Sequence, residues 1–277
     1  MEKLDRLGWA EGICFSAYGV RVGLRANRPG VLSALGEYLP PGWRPVDSPL
    51  VDQLFSIRMG GADGRRGLRR YHLLYGGILQ LCRTLDDREL FEAIENHVQL
   101  NIAADAPRRV FIHACVVGWA GRAVVIPGRT HTGKSQLVAA LLRAGAEYFS
   151  EEYAVLDPRG RVYPYPRRLS LREEEGAPPV RVAAAELGAR TARRSLPAGL
   201  VLFTEYRPGA RWRPRVVPPG AAALMLLENT VCARTRPRAA LAAVRRLAME
   251  APVLKSARGE ADETALRVLA AVGAVRR

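Results

Sequence analysis

A chain of 277 residues, 48% apolar and 25% charged, has the composition of a soluble globular protein and the length for one large or two smaller domains. No apolar run reaches a membrane span, since Arg122 and Pro127 break the best one, and the first residues lack a signal peptide's apolar core, so a cytoplasmic protein is expected. The net charge of +15 raises a nucleic-acid reading, but the Arg clusters around Arg65, Arg193, Arg211 and Arg236 are scattered and carry no nucleic-acid-binding signature, so nucleic acid is disfavoured as a partner.

In chain order, residues 12–28 alternate apolar and polar around Tyr18-Gly19, which predicts a hairpin. Residues 29–39 have helical spacing between prolines; residues 51–59, 68–75 and 78–84 read as strands. Asp86 caps a predicted helix to about Ala104, because Leu90, Ile94, His97, Val98 and Ile102 share one face. Residues 1–108 therefore form a small α+β domain with no visible chemistry. From Arg109 strands alternate with helices: strands at 110–117 and 123–127, a helix from Lys134 to Arg143 ended by Gly145, and short strands either side of Ser150-Glu151-Glu152. Strands at 162–165 and 169–172 and a surface loop at 173–179 follow. The chain closes with a strongly apolar strand at 199–206, a basic loop at 207–214, and helices at 221–227, 238–249 and 262–272. The four cysteines are far apart and suggest neither a zinc knuckle nor a redox pair.

The chemistry gathers at Gly128-Arg-Thr-His-Thr-Gly-Lys-Ser135, a G-x-x-x-x-G-K-S pattern between a predicted strand and a predicted helix. Two glycines let the backbone curl so that successive N–H groups face inward, forming an anion nest at a helix N-terminus. Gly128, Thr130, His131, Thr132, Gly133, Lys134, Ser135 and Gln136 are the residues expected to touch nucleotide. Lys134 reaches the outer phosphates, and the Ser135 hydroxyl is a Mg²⁺ ligand in such loops. Of the basic residues only Lys3, Lys134 and Lys255 are lysine. A compact ammonium fits a phosphate cradle where a planar guanidinium does not. The alternative is a Gly-rich strand-to-helix turn that binds nothing.

Phosphoryl transfer further needs oxygen ligands for metal and a group that takes the acceptor's proton. Glu151-Glu152 follows the predicted P-loop helix and a short strand, where the next strand of a parallel sheet would deliver carboxylates. Adjacent residues of a strand face opposite ways, so both reach one site only across a bend; otherwise they form a solvated acidic turn. His113 lies in the apolar run of the preceding strand, where a histidine is more often a satisfied core residue.

Phe111-Ile-His-Ala114, Gly121 to Gly128, the P-loop, Arg143-Ala-Gly-Ala146 and Ser150-Glu-Glu-Tyr-Ala-Val-Leu-Asp157 together resemble the catalytic domain of HPr kinase/phosphorylase and its relatives. The resemblance implies an α/β P-loop kinase domain, of the HPr kinase/phosphoenolpyruvate carboxykinase type, over 109–277. The small N-terminal α+β domain, 1–108, becomes a specificity module. It implies ATP and Mg²⁺, with one carboxylate of the pair on metal beside Ser135 and the other as general base. Glu151, Glu152, His113 and Lys134 are then catalytic, with Glu151 and Ser135 on metal. Both carboxylates are Glu where the family usually has Asp. The family's L-E-x-R-G-L-G signature is absent, with Ser170 standing where a metal-binding Glu belongs, and Arg172 is a further candidate for transition-state charge. The expected reaction carries the γ-phosphoryl group of ATP to a hydroxyl, foremost a serine of a peptide or protein. A small-molecule hydroxyl kinase and a nucleotide-dependent switch protein are the rivals. No membrane partner is expected, and a homo-oligomer stays open.

Overall fold

A computed structural model describes residues 2–61, 70–128, 133–171 and 179–274. The chain is a mixed α/β protein that divides into two compact units, Met1–Arg108 and Arg109–Arg277.

In the first unit, β1 (Glu11–Ala17) and β2 (Val20–Ala26) pair antiparallel. They turn through Tyr18 and Gly19, at φ 53° and 85°. Positive φ at both turn residues matches the right-handed twist of the strands they join. With β3 (Arg44–Pro45), β4 (Gln53–Arg58), β5 (His72–Gly76) and β6 (Leu79–Thr84), they form a six-stranded sheet ordered β3-β1-β2-β4-β5-β6. Two short helical turns, α1 (Glu2–Asp5) and α2 (Val31–Ala34), precede the one long helix, α3 (Asp87–Asp105). The Asp86 carboxylate accepts the Arg88 and Glu89 amides at 2.7 and 3.1 Å, and Leu90, Ile94, Val98 and Ile102 are buried.

The helix expected over 29–39 is not continuous: α2 spans four residues and a 3-10 turn covers Gly36–Tyr38. Gly30 is left-handed at φ 84°, and the Glu11 carboxylate takes the Gly30 and Leu32 amides at 3.1 and 2.7 Å. Gly36 in the middle of so short a segment costs about 1 kcal/mol relative to Ala. Part of the strand expected over 68–75 falls outside the described residues, as does most of the 173–179 loop.

The second unit begins with the hairpin β7 (Val110–Trp119) and β8 (Arg122–Pro127). α4 (Lys134–Arg143), β9 (Glu147–Ser150), β10 (Tyr153–Leu156) and β11 (Arg161–Tyr163) follow. A small separate hairpin pairs β12 (Leu169–Leu171) with β13 (Val180–Val182). Then come β14 (Leu196–Tyr206), β15 (Arg215–Val216), α5 (Pro219–Leu227), α6 (Pro237–Glu250), β16 (Val253–Arg258) and α7 (Ala261–Ala274).

The main sheet runs β11-β10-β7-β8-β14-β16-β15, with β9 also on β7. Its centre, β8, β14 and β16, is parallel. These strands are apolar on consecutive residues because helices cover both faces. Val124, Ile126, Leu200 and Leu202 pack with Leu137 and Leu141 of α4 and Val268 and Leu269 of α7. Val125, Val201 and Phe203 pack with Leu226 of α5 and Val244 and Leu247 of α6 on the other side.

Two sequence expectations need correction. The strand after α4 does not extend the parallel set: β9 pairs antiparallel with β7, on the hairpin side of β8. And β16, unread between two predicted helices, is an interior strand parallel to β14. Its polar Lys255, Ser256 and Arg258 interrupt the apolar run by which a buried strand is read.

Candidate active site

β8 ends at Pro127, and Gly128 follows at φ 152°. α4 opens at Gly133, left-handed at φ 76°, with no side chain capping its first amides. The positive end of a helix dipole at such a terminus favours an anion. Arg129, Thr130, His131 and Thr132 lie outside the described residues.

Lys134, the first residue of α4, is buried, and its Nζ donates to the Gly128 carbonyl at 2.7 Å, joining the two ends of the loop. Burial pushes its ammonium pKa down, against the raising influence of Cys115, Glu152 and Glu151. Ser135 Oγ donates to the Glu151 carboxylate, whose other oxygen accepts the Ser170 amide of β12 at 2.6 Å. Burial raises the Glu151 carboxyl, and those two hydrogen bonds pull it partly back. Gln136 is exposed on the first turn of α4.

Glu151 and Glu152 occupy the bend between β9 and β10. The buried Ser150 hydroxyl makes the bend by accepting the Glu152 and Tyr153 amides at 3.1 and 3.0 Å. The two carboxylates thus leave the chain in different directions. Glu152 turns to His113, with Oε1 3.5 Å from Nδ1, and its carbonyl lies 2.9 Å from the same nitrogen. A carbonyl only accepts, so this contact places the proton on Nδ1. The His113 amide donates to the Asn229 carbonyl at 2.7 Å, and the side chain is 33% exposed, which makes it a wall residue and not a core one. Cys115 Sγ donates to the Glu151 carbonyl, and burial pushes its thiol pKa far up, so it is a packing group.

Lys134, Ser135, Glu151, Glu152 and His113 are therefore brought together, from α4, the β9–β10 bend and β7. Arg172 lies outside the described residues. Two further residues escaped the sequence reading. Arg258, at the end of β16, donates to the Gly133 carbonyl at 2.6 Å, and Tyr206, at the end of β14, lies against Gly133. Nothing in the sequence separates Arg258 from the many other arginines. The basic loop is anchored nearby, with the Arg207 amide on the Arg258 carbonyl and the Arg213 amide on Ser256 Oγ, at 2.9 and 3.0 Å. The ends of β8, β14 and β16 that carry these groups are the carboxyl ends of the parallel strands.

The donor set fits Mg²⁺ held together with a phosphate ligand. Mg²⁺ takes hard oxygens, keeps several waters and needs only one or two protein carboxylates beside phosphate oxygens. The Ser135 hydroxyl and the adjacent Glu151 carboxylate supply two such oxygens, and the half-buried carboxylate would gain a counter-charge.

No family model matches the chain, and no curated protein matches it. Among solved structures, the HPr(Ser) kinase/phosphatase from Coxiella burnetii is similar over 60% of this chain and 95% of its own, at 15% identity and a TM-score of 0.30. A likeness of that size leaves the chemistry of the site to its own residues.

Proposed function

We propose that the second unit is a P-loop phosphotransferase of the HPr-kinase-like type, moving the γ-phosphoryl group of ATP to a hydroxyl, foremost a serine of a peptide or protein. The observation that carries this reading is the split of the acidic pair: the Glu151 carboxylate accepts the Ser135 hydroxyl, the metal-side group, while the Glu152 carboxylate stands 3.5 Å from His113 Nδ1. A solvated acidic turn has no reason to divide in this way around a buried lysine.

The loop amides and Lys134 bind the phosphates, and Ser135 with Glu151 would hold Mg²⁺, which supplies charge neutralisation on the β and γ oxygens. Glu152 takes the proton as the acceptor O–H breaks. A new O–P bond forms to the γ-phosphorus, the bond to the β-bridging oxygen breaks, and ADP leaves. His113 holds the backbone of Glu152 in place, its Nδ1–H donating to the Glu152 carbonyl at 2.9 Å. Selection of the acceptor by the unit Met1–Arg108 belongs to the same proposal.

The test is transfer of label from γ-labelled ATP, with Mg²⁺, to a library of serine-containing peptides and to small hydroxyl compounds, with Lys134→Ala as control. Mg²⁺-dependent labelling of serine peptides, lost in the control, is expected. Labelling of small compounds alone shifts the reading to a small-molecule kinase. Slow hydrolysis that no acceptor accelerates shifts it to a nucleotide-dependent switch.

A further inference from the structure

Arg258 is 1% exposed and the bulkiest fully buried side chain among the described residues. Its guanidinium donates to the Gly133 and Gly259 carbonyls, at 2.6 and 2.9 Å, and lies over the Tyr206 ring at 5.2 Å. Nε has no hydrogen-bond partner, and Glu260, the carboxylate whose charge acts on the group, accepts the Tyr206 hydroxyl at 3.2 Å. Burial lowers its pKa, against the raising influence of Glu260 and Tyr206. A buried cation that no carboxylate pairs directly is costly, and replacing buried charges by apolar groups of similar volume is often neutral or stabilising.

The placement says what offsets that cost. Gly133 is the cap of α4 and the last glycine of the loop. A planar trans peptide points its N–H opposite to its C=O, so gripping the Gly133 carbonyl aims the Lys134 amide toward the loop. A Cβ at Gly133 would stand 2.6 Å from the gripping nitrogen, so the residue is glycine for two reasons, its φ of 76° and this contact.

We infer that Arg258 is a positioning residue of the phosphate site: it fixes the Gly133 peptide and places a permanent positive charge behind the α4 N-terminus, where a bound polyphosphate would complement it. This rests on the nucleotide-binding reading above. It gives β16 a part in the site that the loop motif does not contain.

The experiment compares wild type, R258M, R258K and K134A by calorimetric titration with MgATP and with magnesium pyrophosphate, and by thermal unfolding with and without each ligand. R258M is expected to unfold without ligand at the wild-type temperature or above, and to bind both ligands at least tenfold more weakly. R258K keeps the charge but not the two-carbonyl grip, and should bind more than threefold more weakly. A merely structural arginine gives the reverse: R258M unfolds earlier without ligand and its folded molecules bind like wild type, which overturns the inference. If R258M does not fold, R258K decides, and binding within threefold of wild type overturns it. Wild type that binds neither ligand sinks the nucleotide reading and this inference with it. Binding lost in K134A but kept in the Arg258 variants sinks this inference alone.

Discussion

Lys134 bridges the ends of the loop through its bond to the Gly128 carbonyl and is the one lysine between Gly128 and Ser135. Lys134→Ala is expected to abolish nucleotide-dependent transfer while circular dichroism stays that of wild type, and Lys134→Arg to be nearly as damaging, because the guanidinium fork does not fit the cradle. Wild-type turnover in either variant would remove the P-loop assignment. The acidic pair should divide as its contacts divide. Glu151→Gln is expected to raise the Mg²⁺ concentration needed for half-maximal activity about tenfold or more, since metal affinity depends on deprotonated ligands and their partners. Glu152→Gln should lower kcat by roughly 10² to 10⁴ with nucleotide affinity kept. Full activity in both variants would mean the bend is only a surface turn. Glu151 also leaves a mark on stability. Its folded-state pKa is raised above the ordinary 4.5, so its contribution is fully present below that value and is lost as pH rises through the folded pKa. Urea midpoints of wild type should therefore fall relative to those of Glu151→Gln over that window in the absence of ligand.

At the scale of elements, legibility followed the strength of the local signal. α3 was readable because an Asp cap and a 3.6-residue apolar stripe agree over nineteen residues. Asp86→Ala should cost about 1 kcal/mol in chemical denaturation and Asp86→Asn much less, since asparagine caps nearly as well. An unchanged midpoint in Asp86→Ala would show that the two amide bonds contribute nothing net. The segment 29–39 misled because Gly30 and Gly36 break what its spacing promises, and a carboxylate from β1 supplies the cap instead. β16 was unreadable because it is a strand by position: its ladders to β14 and β15 bury residues that no alternation marks.

For the whole molecule the excess of 42 basic over 27 acidic residues is the compositional feature that most needs a purpose. The loop between β14 and β15, with Arg207, Arg211 and Arg213 exposed, is tied to the last residues of β16 beside Gly133. Neutralising Arg211 and Arg213 to Gln should raise the KM for an acidic acceptor about threefold to tenfold and that for ATP much less, through weakened steering. Submicromolar RNA binding that falls steeply with salt and disappears in this double variant would assign the charge to nucleic acid instead.

The sequence by itself determined the two glycines of the strand-to-helix turn, the lysine and serine that follow, the order in which histidine, turn and acidic pair arrive, and the helices whose stripes and caps agree. These are local properties, set by backbone freedom at glycine, by side-chain chemistry at fixed spacing and by short-range periodicity. Only the tertiary structure decided which carboxylate meets Ser135 and which meets His113, because that depends on the Ser150 bend and on β9 joining β7. It also decided that Arg258 stands behind Gly133, since contact across 125 residues of chain is made by the pairing of β14 with β16 and leaves no trace in the spacing of the residues themselves.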